Sequence, residues 1–129
     1  MAVVGNEENS ILISIKKLLG IDKDYVQFDQ DIIIHINSAL MSLTQLGVGP
    51  QTGFKIRGEE ETWNDFIGER IDLESVKTYI YLKVRLTFDP PQLSYLIENI
   101  KEQLKEIEWR LNFQVEKSGV LKEEEPNGR

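Results

Sequence analysis

The stretch Pro91–Val115, PQLSYLIENIKEQLKEIEWRLNFQV, decides the fold. Leu93, Ile97, Ile100, Leu104, Ile107 and Leu111 recur at alternating spacings of four and three residues. A strand would alternate every second residue, so this pattern is the seam of a long helix. At about 1.5 Å per residue, its ~25 residues span nearly 40 Å, enough to form one wall of a bundle. Pro91 suits a first helical turn, and Glu106 and Arg110 form an i,i+4 pair on the flank. The seam either closes an intramolecular bundle or, where it outlasts its shortest partner, leaves apolar surface for another chain. Trp109 lies just off it, placed to cover a core edge or to meet a neighbouring subunit.

Upstream, Asp89-Pro90-Pro91 ends a preceding helix, because the residue before proline is driven out of the helical region and proline has no amide to donate. That helix is expected from Asp72, its N-cap, to Phe88. Leu73, Val76, Tyr79, Ile80, Val84 and Leu86 turn inward and Lys77, Lys83 and Arg85 partly outward. A second helix, capped by Asp29 or Asp31, runs to about Leu46 with Ile32, Ile33, Ile36, Ala39, Leu40, Leu43 and Leu46 on one face, and Gly47 closes it. The first helix is short: Ile11, Leu12, Ile15, Leu18 and Leu19, with Asn9 or Ser10 as N-cap and Gly20 as stop. Lys16 and Lys17 fall in its last turns, where the helix dipole favours cations.

Between helices two and three the character changes. Gly47, Gly49, Pro50, Gly53, Gly58 and Gly68 break any regular helix. Phe54 and Ile56 alternate with Lys55 and Arg57, the period of an extended segment, before Glu59–Glu61, Trp63 and Phe66. Residues 48–68 are therefore expected to form a projecting loop or short β-hairpin. Phe54, Ile56, Trp63 and Phe66 are its candidates for inter-subunit or partner contact. Trp63 and Phe66 have a second reading, in which they pin the loop onto its own helices. The expected fold is all-α: about four helices, this arm, and a long C-terminal helix within residues 1–117. Residues 118–129, ending VLKEEEPNGR, are expected to form an acidic flexible tail.

Composition narrows the function. The chain has 129 residues, no Cys, one His, and a net charge of −7 from 15 Lys+Arg and 22 Asp+Glu. One domain fits that length, and 40% hydrophobic with 29% charged residues is ordinary globular composition. The lack of cysteine removes disulfides, thiolate nucleophiles and Cys-based zinc sites, and it fits a reducing compartment. No signal peptide is expected from MAVVGNEENS, and no apolar run approaches the roughly 20 residues of a membrane span. A net negative surface repels phosphates, so specific nucleic-acid binding is not expected.

Motifs for chemistry are missing. His35 sits among apolar positions of the second helix with no adjacent nucleophile and no second His. Asp22 and Asp24 resemble the start of a calcium loop, yet Val26, Gln27 and Ile33 occupy the positions that need a ligand, a glycine and the closing Glu. Gly47-Val48-Gly49-Pro50 has proline where a phosphate cradle needs an amide. Glu59–Glu61 reads as a solvated loop. No catalytic, cofactor-binding or metal-binding residues are assigned, and an enzyme is the weaker class of hypothesis.

The segments ILISIKKLLGI (11–21), FKIRG (54–58), ETWNDF (61–66), VKTYIYLKVRLTFDPP (76–91) and IKEQLKEIEWRLN (100–112) together resemble the small head-tail connector proteins of long-tailed bacteriophages and prophages, also called adaptor or head-completion proteins. The resemblance covers Ile11 to Asn112 and is most specific from Tyr79 to Pro91 and around Glu108-Trp109-Arg110. It implies a helical structural protein of the virion neck, assembled in the host bacterial cytoplasm and needing no cofactor. Such a protein forms a homo-oligomeric ring, about twelvefold in the family, under the portal protein. It extends the channel through which DNA passes and docks a tail-completion or second neck protein. The alternatives are a tail-completion protein or tail-assembly chaperone, and a small acidic regulatory or antitoxin-like module.

Overall fold

The computed structural model describes residues 9–68 and 72–124, with side chains through Lys117. Five helices follow in order among them: α1 (Ile11–Leu18), α2 (Asp29–Gln45), α3 (Trp63–Ile67), α4 (Leu73–Phe88) and α5 (Ser94–Glu124). The chain is all-α, as its periodicities predict. No strand occurs among the described residues beyond a single antiparallel bridge between Ser10 and Thr62.

The helix ends are set by local chemistry. Ser10 caps α1, its hydroxyl accepting from the Ile13 amide at 3.3 Å. Asp72 caps α4 by accepting from the Glu74 amide at 3.1 Å. Thr62 and Asp65 form a reciprocal capping box on α3, each side chain accepting from the other's backbone amide. The α2 start departs from expectation. Its N-cap is Phe28, with no side-chain cap, and the Asp29 carboxylate reaches back to Lys16 instead.

Helix α4 lies at the centre, packed against α1, α2 and α5. Its inward face, Val76, Tyr79, Ile80 and Val84, is buried against Ile32, Ile36, Leu40 and Leu43 of α2. Each such aliphatic side chain contributes about 1.5–3 kcal/mol of transfer free energy. Tyr79 carries its hydroxyl into this core and donates to Glu108 Oε2 of α5 at 2.7 Å. Burial first, and then that bond to a carboxylate, push the phenol well above its usual range.

The α5 seam is buried unevenly. Leu104, Ile107 and Leu111 are buried, Ile97 and Ile100 half-buried, and Leu93 is 53% exposed. The helix begins at Ser94 rather than Pro91, and the Leu93 carbonyl accepts its first bonds from Leu96 and Ile97. Leu93 thus lies on the entry to the helix, outside the seam's packed part. At the other end α5 continues to Glu124, past Ser118 and Gly119, where the sequence reading places the start of an acidic tail. Residues 125–129 of that tail lie outside the described residues.

The segment between α2 and α4 corrects the expected projecting arm. Instead of reaching outward it folds back over α1 and α2. Asn37 of α2 holds Ile56 on both sides, donating to its carbonyl at 3.0 Å and accepting from its amide at 2.8 Å. The Ile11 amide donates to the Glu61 carbonyl at 3.1 Å, and the Trp63 indole donates to Ser14 Oγ at 3.1 Å. Val48, Ile56, Trp63, Phe66 and Ile67 consequently belong to the core. The physical reason is area: four large apolar side chains gain more by completing a thin bundle than by standing in water.

Candidate docking surfaces

Among the residues singled out by sequence, Ile56, Trp63 and Phe66 are buried in the subunit's own core, and Phe54 is half-buried with its ring against Phe66 at 5.2 Å. What this segment turns to solvent is the other half of its alternation, Lys55 and Arg57. The surfaces open to a partner lie elsewhere, one where α2 begins and α4 ends and one on α5.

The first is built on the α1–α2 linker. Lys16 is 1% exposed; its ammonium pairs with Asp29 Oδ1 at 2.8 Å and donates to the carbonyls of Lys23 and Tyr25 at 3.1 and 2.8 Å. These three contacts fold the linker against α1 and fix where α2 begins. Phe28, at that start, meets Phe88 at the end of α4 edge-on, centroids 5.5 Å apart. Tyr25 packs on Phe28 at 5.6 Å, and His35 faces Phe88 at 6.4 Å. Arg85 secures the end of α4 by donating to the Asp89 carbonyl and to the Tyr81 hydroxyl.

An open groove of about 510 Å³ results, with Leu19, Ile21, Phe28 and Phe88 as apolar walls and Asp31, His35, Thr87 and Asp89 as polar rim. Tyr25, which packs on Phe28 beside it, is itself 47% exposed. Exposed aromatic surface of this kind marks an interaction site more often than an accident of folding.

The second surface is on α5. Trp109 is 70% exposed and Phe113 52%, and their rings stack nearly parallel, 8° apart, with centroids 5.7 Å apart. Spacing of four residues puts both on one helix face. Arg110 stands beside them and pairs with Glu106 at 3.1 Å in an exposed, weak contact. Neither the aromatic walls of the groove nor the stack was assigned from sequence as a site. The off-seam position of Trp109 was the one available signal, whereas Phe28 and Phe88 meet only through the tertiary fold.

For catalysis the described residues offer little to assemble. No group of three or more His, Asp or Glu among them is placed to hold a metal ion, and no described helix is long and apolar enough to cross a membrane.

The family described as phage connector protein matches residues 11–118, from the first residue of α1 into the last third of α5. No curated protein and no solved structure matches the chain.

Proposed function

We propose that this chain, which belongs to the phage connector protein family, is a neck subunit that forms a ring under the portal and docks the next tail-side component. Membership makes it a structural connector of a bacteriophage, with portal and tail proteins as the implied partners. The family match over residues 11–118 is the observation that carries the reading.

The geometry supports it in two ways. A bundle with two separate exposed aromatic surfaces suits a subunit that contacts proteins on more than one side. A net charge of −7 suits a collar through which DNA must slide, because a wall that attracted phosphates would hold the genome during ejection. In this reading the ring extends the DNA channel without gripping it.

Electron microscopy of the protein mixed with portal rings from the same phage tests this. A symmetric collar on the tail-facing end of the portal is the expected result. Bare portals at saturating protein would sink the ring-under-portal reading and favour a tail-completion protein or chaperone.

A further inference from the structure

The groove and the aromatic stack are separated along the bundle. Phe28, at the start of α2, meets Phe88 at the end of α4, whereas Glu108, next to Trp109, bonds Tyr79 nine residues earlier on α4. About 13 Å of α4 therefore lies between the groove and the level at which the stack begins. Within one subunit the stack cannot cover the groove.

Resting on the connector reading, we propose that Trp109 and Phe113 of one copy seat in the groove against Phe28 and Phe88 of a second copy, carrying Arg110 to Asp31 and Asp89. Phe28 already meets Phe88 edge-on and is still 40% exposed, so its ring has surface left for a further aromatic contact. Asp31 and Asp89 are exposed on the rim and take part in no ion pair among the described residues. The stack brings the matching charge, because Arg110 is 47% exposed and held only by Glu106. The occupant thus matches the groove in aromatic character and in the sign of its charge. Because stack and groove are different surfaces, repeating the contact in one direction is heterologous and gives a ring where the rotation closes, while two copies exchanging it make a two-fold dimer.

The test uses the full chain, alone in sedimentation velocity across a concentration series and with portal rings in electron microscopy. Trp109→Ala with Phe113→Ala removes exposed atoms, so the circular dichroism should be unchanged. Self-association, or collar occupancy where association needs the portal, should fall about tenfold or more. Arg110→Asp should weaken assembly, and Arg110→Asp combined with Asp89→Arg should recover it. Recovery is the decisive arm, since it arises only if Arg110 meets Asp89 of another copy.

Collars that form normally with the two aromatics removed would overturn the contact and leave the ring reading standing. Collars lost without recovery in the charge swap would show that the stack meets the portal instead. Association with recovery but no collar would support the contact and remove the portal from the proposed function. Neither association nor collar in the wild-type chain would overturn both.

Discussion

Replacing the ammonium of Lys16 is expected to cost about 3 kcal/mol. Lys16→Met keeps the stem's length and most of its packing, so the change isolates the charged head. That head is 1% exposed and makes three contacts of 2.8 to 3.1 Å, to Asp29 Oδ1 and to the carbonyls of Lys23 and Tyr25. Breaking a buried ion pair from one side costs about 3–5 kcal/mol when the remaining charge stays buried. The Asp29 side chain is 17% exposed and rehydrates in part, which moves the cost to the lower end. The two carbonyls lose a charged donor, and water reaching the opened linker offsets some of that. Urea denaturation followed by circular dichroism measures the difference directly. A loss of about 3 kcal/mol lowers Tm by roughly 10 °C at this chain length. Lys17→Met, one residue along and exposed, is the control and should stay within about 0.5 kcal/mol of wild type. If Lys16→Met also stays within that margin, the linker is not held by the ammonium, and the positioning of Phe28 needs another cause.

Asn37→Leu leaves the Ile56 amide and carbonyl without their partners, at a cost of about 1–3 kcal/mol. Hydrogen exchange should show the Ile56 amide losing protection while α4 keeps its own; an equally protected Ile56 would refute the clamp. Gly47 has φ +93, and a Cβ there would lie 2.7 Å from Val115 Cγ1, so Gly47→Ala should destabilise by about 1–3 kcal/mol. Gly58→Ala, with open space around its Cβ, should stay within about 0.5 kcal/mol in the same thermal melts. Tyr79 supplies a pH prediction. Its folded pKa lies above the unfolded value near 10, so its contribution is complete below about pH 10 and is lost as pH rises further. Tyr79→Phe should therefore cost about 1 kcal/mol at neutral pH and flatten the alkaline fall in stability, and parallel alkaline limbs for the two proteins would refute it.

Sequence reading recovered those elements whose ends carry hard local signals. Helix α4 runs from Leu73 to Phe88 as expected because Asp72 caps one end and Pro90-Pro91 bar the other. The α2 start was open to the same reasoning and escaped it. Asp29 and Asp31 are both good caps, but a buried ammonium one helix away binds the Asp29 carboxylate more strongly than a local amide does. Helix α3 had a legible signal in Thr62 and Asp65 at capping-box spacing, with Trp63 and Phe66 on one face. The alternation of Phe54 to Arg57 correctly separated two faces, Ile56 in and Lys55 and Arg57 out. Alternation says nothing about what the apolar face packs on, and here it is the subunit's own α2. The docking groove was the least legible feature. Phe28 and Phe88 belong to elements far apart in sequence, and nothing in either local segment says that the two rings meet.

Trp63 is buried and Trp109 exposed. A bundle with so short a first helix leaves an opening over α1 and α2, and the folded-back segment closes it with Ile56, Trp63 and Phe66. Among the described residues nothing covers the α5 face bearing Trp109 and Phe113, which are 70% and 52% exposed. An exposed aromatic stack would ordinarily invite aggregation. The net charge of −7 opposes this over longer distances, repelling like subunits across about 10 Å at 0.1 M salt before any ring contacts another. In the proposed collar a template holds neighbouring copies at high effective concentration, where a short-range apolar contact outweighs a screened repulsion. The same two features, a sticky stack and a repulsive surface, thus keep copies apart when free and let them join when aligned.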